Sequence, residues 1–332
     1  MAGQQRFADA ETLVPVVRAA LGAHHTVTQV ERLSGGSKKG AYRVVLDDAA
    51  TVLVYAWNAA EDYWHAVLPQ GADDPADPFS HASGLDLFEA AAQRLTAAGV
   101  RSPRVFWADR SRRLYPGDVA VVEHVPGGSL EAALERDPVA ADRPLDILAG
   151  WLASMQACRV ARFGKVAVVD AGQSSRGESC PQVVLERALR EVDEICARET
   201  RAASEGDRLK ELLHALAEPI EPRSTSGLVH GELGPDHILL DASGDPVLID
   251  IEGLMYFDLE WEHVFLRMRF GDHYARLRHA ELDPDRLHLY QLAHHLDLVA
   301  GPLRIADSGH PEREWFRETA DYHLGRALAF GR

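Results

Sequence analysis

The sequence has little cysteine: three residues in 332, Cys158, Cys180 and Cys196. An odd number without metal-site spacing excludes a disulfide framework and reads as the thiols of a cytoplasmic protein. Long apolar runs are missing as well. No stretch approaches the ~18 uninterrupted apolar residues of a membrane span, so no membrane partner is expected. Residues 1–9 hold no apolar signal core. Basic residues are scarce, with 35 Lys and Arg against 51 Asp and Glu, a net charge of −16. A surface this acidic repels phosphate backbones, which argues against a nucleic-acid partner. Gly-x-Ser-x-Gly and His-Glu-x-x-His are both absent. That removes the local signatures of a serine hydrolase and of a helical zinc site.

What is present suits a globular chain. Hydrophobic residues make up 46% and charged residues 26%, enough for a full core. The length implies about two domains. Residues 1–125 mix strands and helices. A helical pattern over 12–21 precedes three short strands at 27–33, 41–46 and 51–57. A helix follows at 85–98, closed by Gly99, and then strands at 105–109 and 119–125. Residues 58–83 are Asp-, Pro- and Ala-rich and read as an insertion. Its acids (Glu61, Asp62, Asp73, Asp74, Asp77) and aromatics (Tyr63, Trp64, Phe79) suit either a flap that recognises a cationic or aromatic acceptor or, more plainly, a loop packed on the first lobe. After Pro126-Gly127-Gly128 helical spacing dominates, over 145–158, 182–199, 207–216 and most of 259–330. The exception is 228–251, where the short apolar strands 238–240 and 247–249 flank a turn. The expected division is therefore 1–125 and 126–332.

Three segments carry chemistry. The first is the glycine-rich run of Gly35, Gly36, Ser37, Lys38, Lys39 and Gly40, between two strands. Glycine lets backbone approach a phosphate closely. Ala41-Tyr42 stands where a Walker A motif needs Lys-Ser/Thr, which leaves a strand–loop–strand phosphate cover. The second segment is His230-Gly-Glu232-Leu-Gly-Pro-Asp-His237. The third is Ile249-Asp250-Ile-Glu252. Together they offer a carboxylate for an incoming hydroxyl's proton and oxygen or nitrogen ligands for a metal on nucleotide phosphates, as phosphoryl transfer requires.

Residues 229–264 resemble the catalytic core of the aminoglycoside phosphotransferase family, small-molecule kinases of the protein-kinase-like superfamily. That family reads roughly His-Gly-Asp-Leu-His-Pro-Gly-Asn, a short hairpin, Ile-Asp-Phe, then Gly-Asp-Pro and Tyr-Asp-Leu. Here the matching residues are His230 to His237, Ile249-Asp250-Ile-Glu252, Phe257-Asp258-Leu and Trp261-Glu262-His, without a gap. The resemblance implies an α+β, two-lobed protein-kinase-like fold, with an antiparallel-sheet N-lobe and a mainly helical C-lobe. It implies ATP or GTP with Mg2+ or Mn2+, and a small-molecule or peptide acceptor. By the same resemblance Glu232 takes the catalytic-base position and His230 is a structural residue of the catalytic loop. His237 and Asp250, with Glu252 beside them, take the metal positions. Glu123, His124 and Val125 form the adenine hinge, Asp258 braces the catalytic loop, and Glu89 is the ion-pairing glutamate of the first-lobe helix.

The sequence departs from that pattern in three places. The base position is Glu rather than Asp, and a displacement of ~1 Å can cost ~100-fold. The Asn position is His237, which suits Mn2+ better than Mg2+. The family's third-strand lysine is missing, because no Lys or Arg lies between Arg43 and Arg94. Either Lys38 or Lys39 reaches in from the glycine loop as a replacement, held by Glu89, or both are solvated loop charges. The leading expectation is an O-phosphotransferase acting on an antibiotic-like molecule, as in resistance, or on a peptide Ser/Thr in natural-product maturation. The alternative is a catalytically weak or inactive pseudokinase acting as a nucleotide-binding scaffold or partner protein.

Overall fold

The computed structural model describes residues 7–34, 36–68, 72, 74–278 and 281–331. In chain order the elements begin with α1 (Ala10–Leu21), β1 (Val27–Arg32), β2 (Gly40–Leu46), β3 (Thr51–Trp57), α2 (Leu85–Ala97), β4 (Val105–Asp109), β5 (Asp118–Glu123) and α3 (Leu130–Arg136). Then come α4 (Asp142–Ala157), β6 (Arg159–Val160), β7 (Gly164–Lys165), α5 (Val166–Asp170), α6 (Cys180–Arg198), α7 (Thr200–Ala203), α8 (Gly206–Ala217) and β8 (Ser226–Val229). The chain continues with β9 (Ile238–Leu240), β10 (Pro246–Leu248), β11 (Met255–Phe257), α9 (Leu259–Phe270), α10 (Tyr274–Leu277), α11 (Pro284–Asp307) and α12 (Arg313–Ala329). No helix among the described residues is long and apolar enough to cross a membrane.

Packing divides the chain into two compact units. The first comprises residues up to Leu68, His81–Pro144 and Asp236–Glu252; the second comprises the stretch ending at Ser80, Leu145–Pro235 and everything from Gly253 onward. The change of composition near residue 125 thus marks the end of a sheet rather than a single cut. The 236–252 hairpin returns to the first unit, because its backbone pairs there: Gly127 N–H donates to Leu240 O and Leu240 N–H to Gly128 O, each at 2.9 Å.

The first unit is built on a five-stranded antiparallel sheet, ordered β1-β2-β3-β5-β4. Strand β2 alternates buried and half-buried residues, as a one-sided strand should. Strand β3 is central, and Val52 to Trp57 are all buried, so its apolar run is nearly continuous. Helix α1 starts where the Asp9 side chain caps Thr12 N–H. It lays Leu13, Val16 and Val17 against Tyr42, Val44, Val54 and Val121 of the sheet.

The second unit is mainly helical. Helices α6, α8, α9, α11 and α12 share one core that includes Val192, Leu213, Trp261, Leu292, Leu296 and Leu324. Ser179 caps α6 with proline in its first turn, and Asp283 followed by Pro284 does the same for α11. A small sheet ordered β6-β8-β11-β7 lies beside them. Helix α9 is buried from Leu259 to Leu266, including Glu260, Glu262 and His263. A helix with acids buried on more than one face needs partners for each of them.

The expected insertion, 58–83, is shared between the units. Its first part belongs to the glycine loop: Tyr63 N–H donates to Ser37 O at 2.9 Å and Trp64 Nε1 to Ser37 Oγ at 3.1 Å. Its later part belongs to the helical unit. Lys165, only 2% exposed, donates to Ser80 O at 2.7 Å, and Phe79 packs on Phe257 and Trp261. A loop packed only on the first lobe is therefore not what forms. The acids are committed too. Glu61 is fully buried against Arg32 and Tyr42, Asp62 bonds His81, and Asp74 pairs with Arg176. Asp73 lies outside the described residues.

Candidate functional site

In the first unit the functional residues gather around Lys39. The loop before β2 is anchored at each residue that precedes it. Ser37 is tied to Tyr63 and Trp64, and Lys38 O accepts from Ser83 Oγ at 2.9 Å. Gly40 opens β2 where a Cβ would lie 2.6 Å from the Glu61 carboxyl carbon, so only glycine fits. This anchoring turns the Lys39 side chain inward, leaving the residue 9% exposed. Its ammonium donates to Asp250 Oδ1 at 2.8 Å and pairs with Glu252 Oε1 at 2.7 Å. Beneath it is the Tyr55 ring of β3, 5.3 Å from Nζ to centroid. Gly36 lies in the same loop, and Gly35 is outside the described residues.

The two acids reach Lys39 through the hairpin. Ile249 N–H donates to His237 O at 3.0 Å and thereby sets the His237 turn beside Asp250. Asp250 has φ +57°, a left-handed conformation that aspartate tolerates better than most residues. Its side chain is 33% exposed, whereas that of Glu252 is 4% exposed. The Lys39 ammonium holds the Asp250 carboxyl well below the usual carboxylate range, and Lys38 and His237 add to the effect. Burial alone would lower the pKa of Lys39, but Asp250 and Glu252 outweigh it, and the group stays protonated. Glu252 Oε2 is buried with no hydrogen-bond partner.

That donor set fits a divalent cation. Two carboxylates meet on one ammonium, one is partly open to solvent, and one has a buried oxygen with no hydrogen-bond partner among the described residues. His237 Nε2 lies 3.8 Å from Asp236 Oδ2.

Glu89 does not hold Lys39. It lies on α2, with its carboxylate on Arg110 beside Asp86. The work expected of Glu89 falls to Glu252. The expected hinge residues are anchored by their neighbours. Glu123 Oε1 takes Arg101 at 2.6 Å, and Arg101 also takes Asp241 of the hairpin. His124 Nδ1 bonds Thr51 Oγ1 at 2.8 Å, and Val125 is buried.

In the second unit the loop 230–234 is held from below by α9. His230 is buried and Glu232 is exposed. Gly231, at φ +96°, turns its N–H onto Glu262 Oε2 at 2.7 Å. Burial pushes the Glu262 carboxyl up to about 7, against the pull of the Gly231, His230 and Leu233 amides, while Glu232 raises it further. The carboxylate that meets the amides of the 230–234 loop is therefore that of Glu262 and not, as expected, that of Asp258. Asp258 is occupied by Arg286 Nε at 2.9 Å and Tyr290 OH at 2.6 Å. The signal was present in the sequence, since Trp261-Glu262-His stands at the family's Tyr-Asp-Leu position. Arg187 was not singled out from the sequence. It stacks 4.5 Å over Phe79, is held by Glu191 and Asp297, and lies in the field of Glu232. His294, stacked at 3.7 Å on Trp261 with Nε2–H on Trp261 O at 3.0 Å, is driven to about 3 by burial.

Comparisons with known proteins give the family and the fold. The model of the phosphotransferase enzyme family, APH, matches residues 30–299, and the chain belongs to that family. The fold is similar to that of aminoglycoside phosphotransferase APH(4)-Ia, at 16% identity over 98% of this chain and 100% of that one, TM-score 0.62. It is similar to APH(2")-IIia in its GDP and kanamycin complex, at 18% identity over 96% and 99%, TM-score 0.63. LicA in complex with AMP is similar at 12% identity over 98% and 100%, TM-score 0.62. No curated protein sequence matches. The α+β, kinase-like fold expected from the sequence is the one observed.

Proposed function

We propose that this protein transfers the γ-phosphoryl group of ATP or GTP to a hydroxyl of a small molecule. The observation that carries the reading is the convergence of Asp250 and Glu252 on the Lys39 ammonium, under a glycine-rich loop and beside His237. Charge neutralisation and positioning supply most of the catalysis in phosphoryl transfer, and those groups are suited to both. Asp250 and Glu252, with His237 alongside, hold a divalent ion, Mg2+ or Mn2+. When bound, that ion neutralises charge on the phosphate oxygens. Lys39, with Lys38 adding positive charge, faces the phosphates beneath Gly36, Ser37 and Gly40. The backbone of Glu123, His124 and Val125 takes the adenine edge.

Glu232 orients the acceptor hydroxyl and receives its proton. The hydroxyl oxygen bonds to the γ-phosphorus as the bond to the β–γ bridging oxygen breaks, and the nucleoside diphosphate leaves. His230 and Glu262 keep the loop in shape. The acceptor is an antibiotic-like molecule or a peptide Ser/Thr. Kanamycin and GDP in the similar APH(2")-IIia favour the small molecule.

The test is a thermal shift with ATP or GTP and Mg2+ or Mn2+, followed by turnover on a panel of hydroxylated acceptors. Ligand at 100 times its dissociation constant stabilises by about 2.7 kcal/mol. A shift with turnover supports the reading. A shift without turnover supports a nucleotide-binding scaffold instead, and no shift under any pairing supports a partner protein that binds no nucleotide.

A further inference from the structure

Lys39 stands where a metal ion would have to be held. Its ammonium touches both carboxylates suited to a cation, at 2.8 Å and 2.7 Å. We propose that Lys39 is an exchangeable counter-ion. It competes with the divalent metal for Asp250 and Glu252, and it gives way only when nucleotide phosphates provide it with another anion. The inference rests on the phosphotransferase reading and adds to it an internal control over metal binding.

Three observations carry it. First, the ammonium does not satisfy the pair. It reaches one oxygen of each carboxylate, and Glu252 Oε2 is buried without a hydrogen-bond partner among the described residues. A divalent ion satisfies that set better than an ammonium does. Second, the loop backbone is fixed at Ser37 by Tyr63 and at Lys38 by Ser83, and Trp64 holds the Ser37 hydroxyl. Only the side chain of Lys39 is left to move, and its four-carbon stem allows rotation. Third, the ring of Tyr55 on β3 lies 5.3 Å from the ammonium, and β3 carries no cation of its own. No residue between Arg43 and Arg94 supplies a second cation to that strand. If metal alone displaced Lys39, a nearly buried ammonium would lose both its anions, a costly exchange. With triphosphate present the ammonium moves from carboxylate to phosphate and stays paired. Metal and nucleotide therefore bind with positive coupling, and the coupling is reciprocal.

The experiment uses the full-length protein and Mn2+ as the probe, followed by electron paramagnetic resonance and calorimetry. Mn2+ is titrated alone and then with a non-hydrolysable ATP analogue. Wild type is expected to bind Mn2+ weakly alone and at least ~10-fold more tightly with the analogue. Lys39→Met is expected to bind Mn2+ alone ~10-fold more tightly than wild type while binding the analogue more weakly, so the coupling shrinks. Lys39→Arg, which keeps the charge, should bind Mn2+ as weakly as wild type. Lys39→Gln makes the same comparison if the Met variant does not fold, as judged by circular dichroism melting. Unchanged or weaker Mn2+ binding by both neutral variants overturns the inference. That result is distinguishable from failure of the functional reading, in which wild type binds no nucleotide with any metal.

Discussion

Two regions of this chain carry buried or half-buried carboxylates, and they neutralise them differently. In the first unit Asp250 and Glu252 share one lysine, which comes from 211 residues away in the case of Asp250. In the second unit Glu262 faces the backbone amides of the catalytic loop, and Asp258 is shared by Arg286 and Tyr290. Backbone amides and a buried guanidinium are part of the fold and leave only when it opens. A lysine ammonium on a flexible stem can leave by rotation. The first arrangement suits an exchangeable cation, and the second suits a scaffold. Substitutions should therefore divide into those that abolish chemistry and those that abolish stability.

The largest effects should fall on turnover. Asp250→Asn removes a full charge from the proposed metal position and should abolish metal-dependent nucleotide binding, read by calorimetry with Mn2+. Glu232→Gln should lower kcat by about 10²–10⁴ while leaving nucleotide affinity within about threefold, because the lost group is a general base. A Gln variant with wild-type kcat would remove Glu232 from the mechanism.

The next effect is on stability. Arg286 and Asp258 are each 3% exposed. Arg286→Met leaves the buried Asp258 carboxylate with Tyr290 and, 3.9 Å away, Arg223, and should cost about 3–5 kcal/mol. Chemical denaturation would measure it. Adding Asp258→Leu should restore much of the loss, since the uncompensated charge is then gone. A single variant as stable as wild type would show that the two regions do not differ as described.

How far these roles were legible in the sequence depended on the distance to each partner. The strands at 41–46 and 51–57 and the hairpin strands at 238–240 and 247–249 are set by local apolar runs and turns, and they lie within a residue of where they were expected. Ile249-Asp250-Ile-Glu252 was legible as a motif. Its counter-ion was narrowed to two lysines, because absence from the strand is a fact of sequence. The choice of Lys39 over Lys38 needed the direction of a loop set by Tyr63, Trp64 and Ser83. Asp258 and Glu262 are four residues apart and chemically alike. Which one meets the loop amides and which meets Arg286 is decided by segments tens of residues away. The insertion misled for the same reason: its composition is uniform, yet Ser37 anchors one part and Lys165 the other.

A smaller effect concerns pH. Burial raises the Glu262 carboxyl from its ordinary 4.5 to about 7. Between those values the folded protein binds more protons than the unfolded chain, so stability falls as pH rises. The group's favourable contribution is complete below pH 4.5 and gone above about 7, a change of at most about 3 kcal/mol. Denaturation at a series of pH values should show that decline in wild type, and Glu262→Gln should flatten it. A Gln variant that keeps the same slope would place the titrating group elsewhere.

The smallest effect tests where the ion pair of the lysine really lies. Glu89 sits on α2 with its side chain 28% exposed, against an Arg110 that is 45% exposed. Exposed pairs of this kind contribute little, so Glu89→Ala should cost at most about 0.5 kcal/mol and leave nucleotide affinity unchanged. Glu252→Gln keeps the size of the side chain but removes a charge that Lys39 touches at 2.7 Å with the side chain only 4% exposed. It should weaken metal and nucleotide together. If Glu89→Ala proved the more damaging of the two, the α2 glutamate would be the partner after all. The geometry around Tyr55 argues for the opposite ranking, because it holds the ammonium on the side of the Asp250 turn.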